Sequence, residues 1–397
     1  MNRPPFAARL TLLLVSSLTV MSGATIAPAL PPLAEHFASR GVADAAFWSR
    51  MVLTAPAIGI VLTATAAGAL GDRFGRVPLM LAAAVLYAVA GSAGLWIDDM
   101  APLVASRVAL GIAVAVLMTG ATALIGDTFH GPARDSFMGV QASFMGYGGV
   151  VFLSVGGALA DVHWRAPFGL YLTGLGVLGL IALTLRGPAT AAARSHERLT
   201  DNPPPRGPAV PPVVLYGLAA LTFATFYQTP TLMPFRLESM GLSDRTMGGM
   251  IIATLPLVAA TSALVFGRLR TRLSLPLILA LSYGLFGAGY LGVAHTTTPA
   301  AAWAGLALSG IGLGWAMPTV SIWLLSIVPA ERRGRAIGGL TAGVFIGQFI
   351  APLASRPVVA VLGAPGAFGV AAGVLGVAAL GMMILHRTLE MAATTQE

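Results

Sequence analysis

Residues 68–79 read Gly-Ala-Leu-Gly-Asp-Arg-Phe-Gly-Arg-Val-Pro-Leu, with three charges and three glycines in one short stretch. Only 10% of the chain is Asp, Glu, Lys or Arg, so such a cluster is punctuation. Apolar runs at about 48–70 and 77–97 flank it, each close to the roughly 20 residues a helix needs to cross a bilayer. The cluster therefore reads as a tight polar loop that ends one membrane span and starts the next. Gly68 and Gly71 permit close backbone approach, and Gly75 permits a sharp turn.

Working outward, the same alternation runs through all 397 residues. A chain that is 56% hydrophobic and 10% charged cannot cover the surface of a soluble globule, which excludes a set of soluble domains. Twelve apolar segments are expected to be helices. Six lie at about 10–34, 48–70, 77–97, 101–125, 137–160 and 167–186, and six at about 213–236, 246–266, 275–294, 300–327, 336–358 and 365–385. Residues 187–212, GPATAAARSHERLTDNPPPRGPAVPP, are proline-rich and polar and read as a linker. The expected organisation is an N-terminal six-helix bundle over 1–186, a cytoplasmic linker over 187–212 and a C-terminal six-helix bundle over 213–397. Alternating ten-residue segments, the mark of a membrane β-barrel, are absent. Arg3, Arg9 and the run Leu10–Val20 imitate a secretion signal. The apolar run continues past Ala27-Pro28-Ala29, however, so it reads as the first span.

All 23 basic residues are arginine. With the N-terminus inside, sixteen fall in cytoplasmic segments and seven in outer segments, which places both termini in the cytoplasm. Acids divide almost evenly, so the net charge of +8 sits on one face and reports orientation.

The two halves also repeat. Gly68 and Gly267 open basic loops 199 residues apart, and Arg134 and Gly139 match Arg333 and Gly338 at the same offset. So do Gly111 with Gly310 and Met118 with Met317. Two like-oriented bundles of this kind enclose a site near the bilayer midplane and alternate access by rocking.

With GALGDRFGRVPL at 68–79, its weaker copy GRLRTRLS at 267–274, Arg107-Val-Ala-Leu-Gly111 and Trp164-Arg-Ala-Pro-Phe168 in order, the chain resembles the major facilitator superfamily over essentially its whole length. The resemblance implies an all-α integral membrane fold of twelve transmembrane helices in two six-helix bundles. It also implies a gating loop of Gly68, Gly71, Asp72, Arg73, Gly75, Arg76 and Asp127, with Gly267, Arg272 and Gly338 in the second half. Asp72, Arg76 and Asp127 would form a charge relay, and the loop would meet helix 11 near Gly338. Read from residues alone, Asp72 suits a helix N-terminus, and Arg73 and Arg76 suit lipid phosphate or a carboxylate. A basic loop that merely fixes topology is the alternative.

The resemblance links Arg107, about two turns inside helix 4, to proton coupling. A charge there faces a cavity or a partner, or else snorkels to the outer headgroups. Coupling usually needs a carboxylate with a raised pKa inside the bundle, yet the middle of every expected helix lacks Asp, Glu and His. Glu35 with Arg107 is the best available pair. The family's antiport signature on helix 5 is eroded, with Phe152-Leu153 where Gly-Pro is expected. Mid-helix polar and aromatic residues that could line the cavity are Ser22, Thr25, Tyr147, Tyr227, Gln228, Trp315 and Gln348; helix packing is the alternative for each aromatic. Pro230 and Pro234 free carbonyls on helix 7 that a neighbour or cavity must satisfy.

Several chemistries are set aside. Gly174-Leu-Gly-Val-Leu-Gly179 lies inside a helix with no preceding strand, so it reads as helix packing and not a dinucleotide fingerprint. Without lysine there is no phosphate loop of the Gly-Lys-Ser/Thr type, and without cysteine no disulfide or thiolate site. The six histidines have no metal spacing, and the basic excess forms no nucleic-acid patch. No metal, cofactor or enzymatic activity is expected. The reading is a monomeric secondary transporter of a bacterial inner membrane, exporting small amphipathic organic compounds against protons. Uptake or facilitated passage of a small metabolite, including an anionic or zwitterionic one, is the alternative.

Overall fold

The computed structural model describes residues 5–129, 132–185, 210–329 and 332–394, all of it helix, turn or loop, with no strand among these residues. The expected linker falls almost entirely outside them. Two compact units are formed. One comprises the described residues within Met1–Glu197 together with Asp244–Met250; the other comprises those within Arg198–Ser243 and Ile251–Glu397.

In the first unit, α1 (Phe6–Ala24) and α2 (Leu30–Ser39) form one span interrupted by a 3₁₀ turn at Ala27–Ala29. The interruption follows from Pro28, Pro31 and Pro32, which remove three amide donors within five residues. α3 (Ala45–Thr54) and α4 (Pro56–Phe74) join in the same way at Pro56. Gly75, at φ 89°, is the single residue between α4 and α5 (Arg76–Ser92), a conformation that favours glycine. α6 (Met100–Thr128), α7 (Pro132–Val162), a 3₁₀ segment at Ala166–Leu172 and α8 (Thr173–Thr184) complete the unit.

The rest of the chain forms α9 (Pro212–Phe226), α10 (Gln228–Ser239), α11 (Arg245–Ala263), α12 (Phe266–Arg270), α13 (Leu275–His295), α14 (Pro299–Ile327) and α15 (Arg333–Thr394). Ten segments among the described residues are long and apolar enough to cross a membrane. Twelve crossings are recovered at two places. Arg333–Met391 is two helices that meet at Gly363, where φ is 67°. α9 and α10 together make one crossing, divided at Tyr227 into pieces of 15 and 12 residues.

The sequence repeat is also a packing repeat. A Cβ on Gly111 would stand 1.9 Å from the Pro56 carbonyl oxygen, and one on Gly310 would stand 2.6 Å from the Leu255 carbonyl oxygen. Both members of the pair shift by the same 199 residues. Each half thus brings one helix into backbone contact with another at the same place, as membrane helices with small interface residues do.

Candidate functional site

The loop that opens the sequence argument ends α4 and starts α5. Arg76 donates through Nη1 to the Asp127 carboxylate at the end of α6, and its Nη2 lies 3.6 Å from Asp72. The side chains of Arg76 and Asp127 are half-buried, whereas Asp72 is 75% exposed. Asp127 is thus the stronger partner. Gly68, Gly71, Asp72 and Arg76 line one side of a cavity of about 210 Å³, with Thr119 and Gly120 of α6 opposite. Arg73 turns away, with its guanidinium 5.3 Å from the Phe74 ring. In the second unit, Gly267 on α12 and Gly338 on α15 have open space where a Cβ would stand. Arg272 follows α12 and has no ion pair among the described residues, since that copy of the loop carries no acid.

Arg107 on α6 is completely buried. Its Nη2 donates to the carbonyl oxygens of Ala90 (2.9 Å) and Gly91 (2.5 Å) on α5, and its guanidinium lies 4.9 Å from the Phe168 ring and 5.2 Å from the Tyr171 ring. It does not snorkel. The carbonyl ends of α5 and two ring faces supply the negative potential a buried cation requires. Nε and Nη1 are buried without a partner. Glu35 is exposed on α2, and the structure does not bring it into an ion pair with Arg107.

The expected cavity residues separate into two groups. Ser22 and Thr25 are buried and donate to Thr19 O (2.8 Å) and Met21 O (2.9 Å) of their own helix. Gln348 is buried on α15. Trp315 donates to Ser262 O at 3.1 Å. Tyr147 is exposed on α7. Tyr227 and Gln228 stand at the break between α9 and α10, where Gln228 Oε1 is buried without a hydrogen bond. Nearby on α10, Arg236 donates through Nη2 to Thr296 O and leaves Nε unpartnered.

The break itself has a partner that sequence reasoning did not name. Pro230 lacks an N–H, which strands the Phe226 carbonyl four residues back. Tyr290 of α13 donates to Thr225 O at 2.7 Å, lies 3.4 Å from Phe226 O and pairs with the Thr229 hydroxyl at 2.7 Å. Seven residues earlier, Tyr283 repeats the arrangement with Thr222 and Leu218. The shared seven-residue step, Thr222/Thr229 and Tyr283/Tyr290, is the signal that marks it in the sequence. Two further clusters lie at helix ends. Asp98 binds Arg165, with Arg40 at 3.4 Å and His36 at 3.6 Å, and Asp161 accepts from the start of α11.

These features have counterparts in known proteins. The chain is 31% identical over 153 residues to the multidrug efflux pump LfrA of Mycolicibacterium smegmatis, which is 38% of this chain and 29% of that one. It is 23% identical over 366 residues to the 3-(3-hydroxy-phenyl)propionate transporter of Escherichia coli, 89% of each. The chain spans less than a third of the length of the first curated relatives it matches. Its fold is similar to that of a D-xylose-proton symporter, with a TM-score of 0.72 at 17% identity over 95% of both chains. The family model of the Major Facilitator Superfamily matches residues 12–320 and 244–395. With helices, loop signature and repeat all in their places, the chain belongs to the major facilitator superfamily.

Proposed function

We propose that this transporter works by alternating access as a proton-coupled exporter of small amphipathic organic compounds, in a bacterial inner membrane with both termini in the cytoplasm. The observation that carries the substrate class is the break at Tyr227–Gln228. There a neutral amide oxygen, that of Gln228, is left without a partner, the Phe223, Phe226 and Tyr227 rings pack on one another in the turn before it, and the next charged side chain on α10 is Arg236. Ring faces with one free hydrogen-bond acceptor suit a lipophilic compound bearing a donor. Likeness to a multidrug efflux pump over part of the chain supports export. The relay of Asp72, Arg76 and Asp127 is the device proposed to hold the cytoplasmic side closed. Arg107 is the proposed coupling residue, supported by its Nε and Nη1 nitrogens, which have no hydrogen-bond partner in this conformation.

The test is flux in everted vesicles with an imposed pH gradient. Addition of ethidium or a similar lipophilic cation is expected to dissipate the gradient; flux unaffected by an uncoupler rules antiport out. A second reading, uptake of an organic anion, is favoured by the unpartnered Nε of Arg236 and by similarity along the whole chain to a hydroxyphenylpropionate transporter. Saturable uptake of an aryl carboxylate into right-side-out vesicles would support it.

A further inference from the structure

The start of α11, Asp244–Met250, packs with the first unit, and the helix leaves that unit at Ile251. Two carboxylates serve this one helix start. Asp244 Oδ1 accepts from Met247 N at 2.8 Å, an ordinary local cap. The second comes from 84 residues earlier. Asp161, near the end of α7, accepts through Oδ1 from Arg245 N (2.9 Å), and through Oδ2 from Thr246 N (2.9 Å) and the Thr246 hydroxyl (2.7 Å). Three successive backbone donors that a helix start leaves unpaired are thereby met, two of them by a residue on another helix.

The surfaces behind the cap are smooth. A Cβ on Gly157, one turn before Asp161, would stand 2.4 Å from Arg245 O, and one on Gly249 would stand 2.5 Å from Leu153 O. No side chains interlock at these two positions. Asp161 and its hydrogen bonds are exposed, so water can replace each bond when the contact parts. A contact of flat backbone faces and charge-assisted hydrogen bonds can be made and broken without repacking a core, whereas interdigitated apolar side chains cannot.

We propose that Asp161 is a positioning residue of the transport cycle. Its carboxylate is a releasable cap that holds the start of α11 on the end of α7, at the outer face in the orientation given above, and that must let go at the outward-open stage. The proposal rests on the alternating-access reading and does not depend on the direction of transport or on protons.

Hydrogen exchange of the purified full chain in nanodiscs tests it directly, because the Arg245 and Thr246 amides are the donors. Asp161→Asn, which loses the charge and one acceptor, is expected to exchange these amides roughly tenfold faster, while α13 stays protected. Asp161→Glu should restore most of the protection. If Asp161→Asn fails to fold, Thr246→Val, which removes only the hydroxyl donor, should still speed exchange at the α11 start about threefold. Unchanged exchange in whichever variant folds overturns the proposal. A functional readout separates a latch from a merely structural contact. With ethidium as probe in oriented proteoliposomes, Asp161→Asn should weaken apparent affinity from the cytoplasmic side and strengthen it from the outer side. Parallel loss on both sides refutes the latch. Absence of ethidium flux in the unaltered protein counts against the efflux reading alone, and the exchange comparison then decides on Asp161.

Discussion

Arg76, the first residue of α5, is bound to Asp127 at the far end of α6, 51 residues on, while its neighbour on α4, Asp72, stays mostly in solvent. The relay is therefore unequal. Asp127→Asn should cost about 1 kcal/mol of stability, and Asp72→Asn less than about 0.5 kcal/mol, as an exposed i,i+4 pair does. Both should lower flux while the protein remains in the membrane, Asp127→Asn by roughly fivefold. Flux in proteoliposomes alongside thermal unfolding in detergent checks the ranking. Equal flux in Asp72→Asn and the unaltered protein would defeat the gating role of the loop.

Arg107 is held by geometry that a lysine cannot reproduce. One nitrogen serves two carbonyls, and the planar guanidinium lies near two rings. Arg107→Lys should lower stability by about 2 kcal/mol through the lost ring contacts and poorly met carbonyls. Its effect on transport identifies the role. A residue that couples protons changes the ratio of protons moved to solute moved, whereas one that only joins α5 to α6 lowers both together. Simultaneous recording of solute flux and internal pH distinguishes the two.

Tyr290 donates to Thr225 O and comes within 3.4 Å of Phe226 O, the carbonyl that Pro230 leaves without a helical partner at the break between α9 and α10. Tyr290→Phe should destabilise the chain by about 1–2 kcal/mol, since buried carbonyls lose their donor. Returning an amide with Pro230→Ala should reduce that penalty, because Phe226 O then regains its own helical partner. A double-mutant cycle on thermal unfolding measures the coupling. Strict additivity would show that the tyrosine and the proline act independently.

How far the site was legible depends on the range over which each contact is specified. The Asp72–Arg76 approach is local: Gly75 separates two helices with one residue, and the four-residue spacing does the rest. The freed carbonyl four residues before Pro230 was also legible, because proline removes a donor wherever it stands, but the division at Tyr227 was not, since 213–236 reads as one apolar span. For Ser22 and Thr25 the sequence does not foretell the partner, since a hydroxyl in a helix can reach the carbonyl of its own preceding turn, as both do. The Glu35–Arg107 pairing rested on a count of available charges, but the structure answers the arginine with carbonyl oxygens and rings, which no charge pattern records. Asp161 was visible only as an acid at a helix end, because its partners lie 84 and 85 residues away.

Asp98 gives a prediction with a defined pH window. It lies between α5 and α6, outside the membrane spans. Desolvation pushes its carboxyl up, but the hydrogen bond and charge of Arg165, with Arg40 and His36 behind them, outweigh this and hold it below the ordinary 3.8. A carboxyl lowered on folding adds stability above its unfolded pKa and loses it as pH falls through the lowered folded value. Asp98→Asn should therefore unfold at a lower temperature than the unaltered protein at pH 7. The gap should persist down to the ordinary carboxyl range and close below it. The deciding reading is the change in this gap between pH 5 and about pH 3, where carboxyls titrate. Unfolding temperatures that already coincide at pH 5 would mean that Arg165, Arg40 and His36 do not hold Asp98 ionised.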